Sequence, residues 1–190
     1  MTKSFFRGLV AVLLLLQSNI IQAQSGQFYR SRQTGEWATA SNWEWSNTVN
    51  GTYTTATAAP NNTANSILIQ NGHTITINSN VSLDETTVQA GGVLRWAENT
   101  ITINNGPGDD LTIAGVFEDA RNSATLPNTT PGCMITVMNN GVLRVTVEKN
   151  NKDGYASNQN GNLSSNINWQ HGAVFDWAVN QKFIDRKSVV

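Results

Sequence analysis

The sequence predicts an all-β protein: a right-handed parallel β-helix (β-solenoid) with an N-terminal Trp-rich cap. Three observations predict it. Short alternating strands rich in β-branched residues fall at 66–70, 74–78, 86–89, 93–96, 100–104, 111–113, 134–138 and 142–147, each bounded by Gly, Asn, Asp or Ser. No segment after residue 23 carries apolar residues at the 3.6-residue spacing of a helix, and Gly or Asn interrupts every window. Finally, one unit recurs, in which a strand enters a glycine turn and a bulky apolar strand leaves it, at 87–96, 111–118, 135–145 and 167–177. Its turn glycines Gly92, Gly115, Gly141 and Gly172 are 23, 26 and 31 residues apart, the length of one solenoid coil with variable loops.

Each element of that reading has a physical reason. A coil buries only its inward side chains, so it needs a neighbour above and below. Stacked coils pair their strands in parallel, and Val93, Val116, Val142 and Val174 are expected to line up above one another. Inward Val, Ile and Leu form apolar rows. Turn positions needing φ > 0 take Gly or Asn, and stacked Asn side chains extend the ladder. The competing fold is an antiparallel sandwich, which also uses short strands.

Four segments are expected along the chain. Residues 1–23 read as a secretory signal peptide: Lys3 and Arg7 form a positive start, 9–16 is an unbroken apolar run too short to cross a bilayer, and cleavage follows Ala23. No later segment is apolar enough to span a membrane. Residues 24–65 form the cap and a polar loop, with Trp37, Trp43 and Trp45 covering the first coil, or alternatively offering a flat aromatic platform to a sugar. Residues 66–184 form the coils. Residues 185–190 abandon the pattern and match a translation of sequencing-adapter DNA, GATCGGAAGAGCGTCGTG, so the natural protein is expected to continue past about residue 184.

Composition narrows the function classes. Removing the signal peptide leaves 167 residues, suited to one domain, with ten basic against thirteen acidic residues. Such a net charge of −3 excludes electrostatic attraction to nucleic acid or an anionic membrane. Charged residues make up only 13% of the chain, whereas Asn (25) and Thr (21) are abundant, so the surface is neutral and hydrogen-bonding. Cys133 has no partner for an internal disulfide and is expected to be a buried apolar filler beside Met134 and Ile135.

Candidate chemistry is sparse. Arg95 and Arg144 occupy equivalent positions in the Val-Leu-Arg repeat and are expected to share one face, as solvated outward residues or as bases for β-elimination. Asp109-Asp110, Glu118-Asp119 and Asp84-Glu85 are the adjacent acid pairs on expected coils or turns, and glycoside hydrolysis needs two carboxylates about 5–10 Å apart. A calcium ion is a candidate at Gly108-Asp109-Asp110 with the Asn104 and Asn105 carbonyls. His73 and His171, each beside a turn glycine, are too far apart and too poorly partnered to argue for zinc. No catalytic residue and no cofactor is assigned.

Gly35-Glu36-Trp37, Asn42-Trp43, Pro60, the run from Asn65 through Asn71-Gly72-His73 to Ile77, Val81-Ser82 and Gly92-Val93-Leu94 together carry a resemblance. They resemble the N-terminal region of secreted Bacteroidetes β-solenoid proteins, adhesin-like surface proteins exported by the type IX system. They are similar also to the eight-glycine domain of animal cell-surface proteins. Asn65 departs from the pattern, standing where a Gly-Asp pair is usual. The resemblance covers about residues 35–145 and implies a secreted or surface-attached structural module, with no catalytic residues to carry over; the long faces of such a module, rows of repeated side chains, suit multivalent weak contacts with glycans or surface proteins. Parallel β-helices also host polysaccharide lyases and glycoside hydrolases, so a fragment of such an enzyme is the alternative.

Overall fold

The computed structural model describes residues 26–122, 127–146 and 167–178. The expected signal peptide and the adapter-like tail lie outside the described residues. Within them the protein is all-β, with one short 3-10 turn at Ala40–Asn42 and no α-helix.

The first strands make an entry layer: β1 (Phe28–Ser31), β2 (Gly35–Glu36), β3 (Trp43–Ser46) and β4 (Thr54–Thr55). The strands that follow are β5 (Ser66–Ile69), β6 (Thr74–Ile77), β7 (Val81–Leu83), β8 (Thr86–Val88), β9 (Val93–Trp96), β10 (Ile101–Ile103), β11 (Leu111–Ile113), β12 (Val116–Asp119), β13 (Asn128–Thr129), β14 (Ile135–Val137), β15 (Val142–Val145), β16 (Ile167–Trp169) and β17 (Val174–Trp177). From β5 to β15, consecutive strands go in turn to an eight-stranded, a six-stranded and a three-stranded sheet, and β16 and β17 then join the eight-stranded and the six-stranded sheet. The eight-stranded order is β16-β14-β11-β8-β5-β1-β3-β4, the six-stranded order β17-β15-β12-β9-β6-β2, and the three-stranded order β13-β10-β7. Every pairing is parallel except β1–β3 and β3–β4, which excludes the antiparallel sandwich.

The expected valine register is present: Val93 pairs with Val116, Val116 with Val142 and Val142 with Val174. These valines do not form the inward row, however. They are half-buried, and Val174 is 40% exposed. Alternate strand residues face opposite sides of a sheet, and the next residue along is the one turned inward. Ile75, Leu94, Phe117, Leu143 and Phe175 form one inward column of the six-stranded sheet, with Ile77, Trp96, Asp119 and Val145 in a second. Ile67, Ile69, Ile75, Ile77, Ile101 and Ile103 are all completely buried. Each full burial of such a side chain is worth about 1.5–3 kcal/mol, so the core lies along these columns between the sheets.

The turns use glycine in two ways. Gly72, Gly91 and Gly172 take φ of 80°, 81° and 84°, and Asn140 takes 61°, the left-handed conformation that Gly and Asn tolerate best. Gly92, Gly115 and Gly141 do not have positive φ. They are required by close approach instead: a Cβ at Gly115 would collide with the Gln89 and Gly92 carbonyl oxygens, and one at Gly141 with that of Ile113. Gly172 accordingly aligns with Asn140, and Ala173 with Gly141. The repeat therefore slips by one residue from the spacing of the glycines alone.

Candidate functional site

The outward positions of β9, β12, β15 and β17 build a row of charge. Arg95, Glu118, Arg144 and Asp176 stand in register on neighbouring strands. Arg95 Nε lies 3.3 Å from Glu118 Oε1, Arg144 Nη1 lies 4.0 Å from Glu118 Oε2, and Arg144 Nε donates to Asp176 Oδ2 at 2.9 Å. Parallel pairing at equal register is what brings the signs together, since each repeat contributes one residue to the row. Arg95 and Arg144 thus share one face, as their repeat positions implied, but each guanidinium is engaged by a carboxylate. No ion pair joins either of them to Asp109 or Asp110 among the described residues.

The acid pairs separate by strand geometry. Glu118 points outward and Asp119 inward, because successive residues of β12 alternate, so they do not act as a pair. Asp109 is exposed while Asp110 is completely buried. Asp110 accepts hydrogen bonds from the Gly106 N–H at 2.6 Å and the Met134 N–H at 2.5 Å.

Asp110 instead meets Asp84 and Glu85 at the corner between β7 and β8. Thr86 pairs with Leu111, which sets the residues just before them side by side. Among the described residues, Asp84, Glu85 and Asp110 form a group of carboxylates whose ligand oxygens lie within 4.8 Å of one another. Glu85 turns the chain with φ of 44°, and its N–H donates to Asp84 Oδ1 at 3.0 Å. Gly106 closes the corner, where a Cβ would crowd both Asp84 carboxylate oxygens.

The electrostatics follow from that crowding. Burial, then the neighbouring Asp110 carboxyl, pushes the Asp84 carboxyl up to about 6. Glu85 is also raised, by burial and by the charges of Asp84, Asp110 and Asp109. Its Oε1 is buried with no hydrogen-bond partner. Like charges this close are relieved by a shared proton or by a cation, and these are the residues whose side chains could hold one. The carboxylate oxygens lie closer together than the separation of about 5–10 Å that glycoside hydrolysis uses. Asp110, moreover, is sealed from solvent and held by two backbone donors. Of the asparagines expected nearby, Asn104 donates its amide to Ser82 Oγ and to the Leu83 carbonyl.

The signal for this corner was in the sequence. Asp84-Glu85 and Asp109-Asp110 are 25 residues apart, one repeat length, so stacking must bring two acid pairs together.

The tryptophans divide. Trp37 and Trp43 are buried, meet edge to face with centroids 4.9 Å apart, and donate their indole N–H groups to the Pro60 and Trp37 carbonyls. Their faces are spent on the core. Trp45 is half-buried at its margin. His73 Nδ1 sits 2.9 Å from Ser31 Oγ, a buried hydroxyl that also accepts the Gln70 N–H. That geometry anchors the end of β1 to the turn between β5 and β6 and leaves no accessible nucleophile there.

Comparison with known proteins finds no matching family model, no matching curated protein and no matching solved structure. No helix among the described residues is long and apolar enough to cross a membrane.

Proposed function

We propose that this chain is a secreted or cell-surface structural module, a right-handed parallel β-solenoid that extends an adhesin-like surface protein, binds glycans or partner proteins along its walls, and catalyses no reaction. The strand sequence supports the winding: from β5 to β15 the chain visits three sheets in rotation, and strands pair in parallel with counterparts one repeat later, which is the connectivity of stacked coils. Trp37 and Trp43 are then the cap that shields the first coil.

The observation that carries the non-catalytic reading is the placement of the charges. Arg95 and Arg144 are neutralised in a row along a sheet wall, and Asp110 is sealed at a different corner. A lyase or hydrolase would gather such groups around one open cleft. The enzyme reading draws its support from the acid corner, where a carboxyl near pH 6 stands beside two others.

A single preparation decides between them. Binding on a glycan array, with no reducing sugar or unsaturated product released from the bound polysaccharides, supports the module. Product release that disappears in Asp84→Asn would establish the enzyme.

A further inference from the structure

We propose that the outer face of the six-stranded sheet docks a second copy of this chain in antiparallel orientation. The face carries two columns side by side. One is apolar, Val93-Val116-Val142-Val174, half-buried and most exposed at Val174. The other is the charge row Arg95-Glu118-Arg144-Asp176, read along the stack as plus, minus, plus, minus.

The order of signs selects the occupant and its direction. Reversed, the row reads minus, plus, minus, plus. A copy turned about an axis parallel to the strands therefore sets Arg95 against Asp176 and Glu118 against Arg144, while valine meets valine. A copy turned about the stacking axis swaps the two columns and lays valines on charges, and shifting it to align the charge rows would set Arg95 against Arg95 and Glu118 against Glu118, which like-charge repulsion disfavours. The row's ends favour the same arrangement. Among the described residues Arg95 is ion-paired only to Glu118, and Asp176 only to Arg144, so each end has capacity for one more partner of opposite sign. The antiparallel copy supplies both. A face four strands across, with strands about 4.8 Å apart, is small, so the association is weak and concentration-dependent.

Three measurements test this. In sedimentation, the wild type should shift toward dimer at high concentration, and added salt should weaken the shift. Valine-to-cysteine exchange reads the direction, since the native Cys133 is buried. A mixture of Val116→Cys and Val142→Cys proteins should form cross-linked dimers roughly tenfold faster than either protein alone. Reversing the whole row (R95E, E118R, R144E and D176R together) keeps every within-chain pair opposite in sign, so the fold is retained. That variant should dimerise with itself and not with the wild type. A wild type that remains monomeric at about 1 mM, equal cross-linking of Val116→Cys alone, or free mixing of the reversed row with the wild type would each overturn the proposal.

Discussion

Arg121 and Asp119 form a bidentate ion pair inside the protein, with Arg121 Nη2 3.0 Å from Asp119 Oδ2 and Arg121 Nε 3.2 Å from Asp119 Oδ1. Both residues are buried, and the guanidinium lies over the Trp96 ring. Asp119 occupies the inward column between Trp96 and Val145, where an apolar residue would be expected, and Arg121 completes the local neutralisation.

Removing one partner leaves a buried charge, so Arg121→Met is expected to cost about 3–5 kcal/mol of stability. Replacing both, with Asp119→Leu added, should restore most of that loss, because an apolar pair of similar volume needs no desolvation of charge. Urea unfolding of the three proteins measures both effects. A loss under about 1 kcal/mol for the single variant would show that the pair is not sealed.

The acid corner predicts an unusual pH dependence. Asp84 is only 9% exposed, and its carboxyl titrates near 6 in the folded protein against about 3.9 in an unfolded chain. The folded state therefore binds more protons between those values. Its contribution to stability is fully present below pH 4 and is lost as pH rises through 6, a loss of about 3 kcal/mol. Asp84→Asn should flatten the melting temperature across this window and be more stable than the wild type at pH 7. Thermal melts between pH 4 and pH 8 check it, and a wild type that gains stability from pH 4 to pH 6 while Asp84→Asn does not would contradict it.

Two turn glycines should respond very differently to alanine. Gly72 has φ of 80° and nothing within 4 Å of an added Cβ, so Gly72→Ala costs only the left-handed strain, about 1 kcal/mol. Gly141 has an ordinary φ but backs onto the Ile113 carbonyl of the neighbouring strand, so Gly141→Ala must push two repeats apart, at about 3 kcal/mol. Gly72→Asn should be milder than Gly72→Ala, whereas no side chain rescues Gly141. Denaturation midpoints rank the variants, and equal costs at the two sites would refute the distinction.

Cys133 is 1% exposed, as expected of a filler. Its thiol should react with a disulfide reagent only when the protein opens, so the labelling rate should climb with urea in step with unfolding. Fast labelling without denaturant would mean that this turn opens locally.

Much of the fold was legible before the structure. β5, β6, β9, β11 and β15 fall where alternation placed them, because a strand that buries one face must alternate. The valines that recur after each turn located the pairing register, whereas the glycine spacing alone misses it by one residue at the last repeat. The entry layer was less visible: β1 and β3 carry a mixture of aromatic and polar residues, and β1 earns its place by pairing on both sides, with β3 and β5. The direction of the valine column was also hidden. Val93 and Leu94 are equally apolar, and only the burial of Trp96 on the same side as Leu94 decides which faces in.

By itself, the sequence determined what is local and periodic: strand positions, the absence of helices, the turns and the repeat length. These follow from side-chain alternation and from glycine and asparagine conformations, which act within a few residues. Only the tertiary structure decided which charges meet. Glu118 neutralises two arginines and Asp84 confronts Asp110, because parallel pairing brings residues 23–32 positions apart into contact; Asp119 meets Arg121 two residues on, because its strand position turns it inward. Coulomb energies depend on such distances, and a one-residue change in loop length moves a charge to the other face of its sheet.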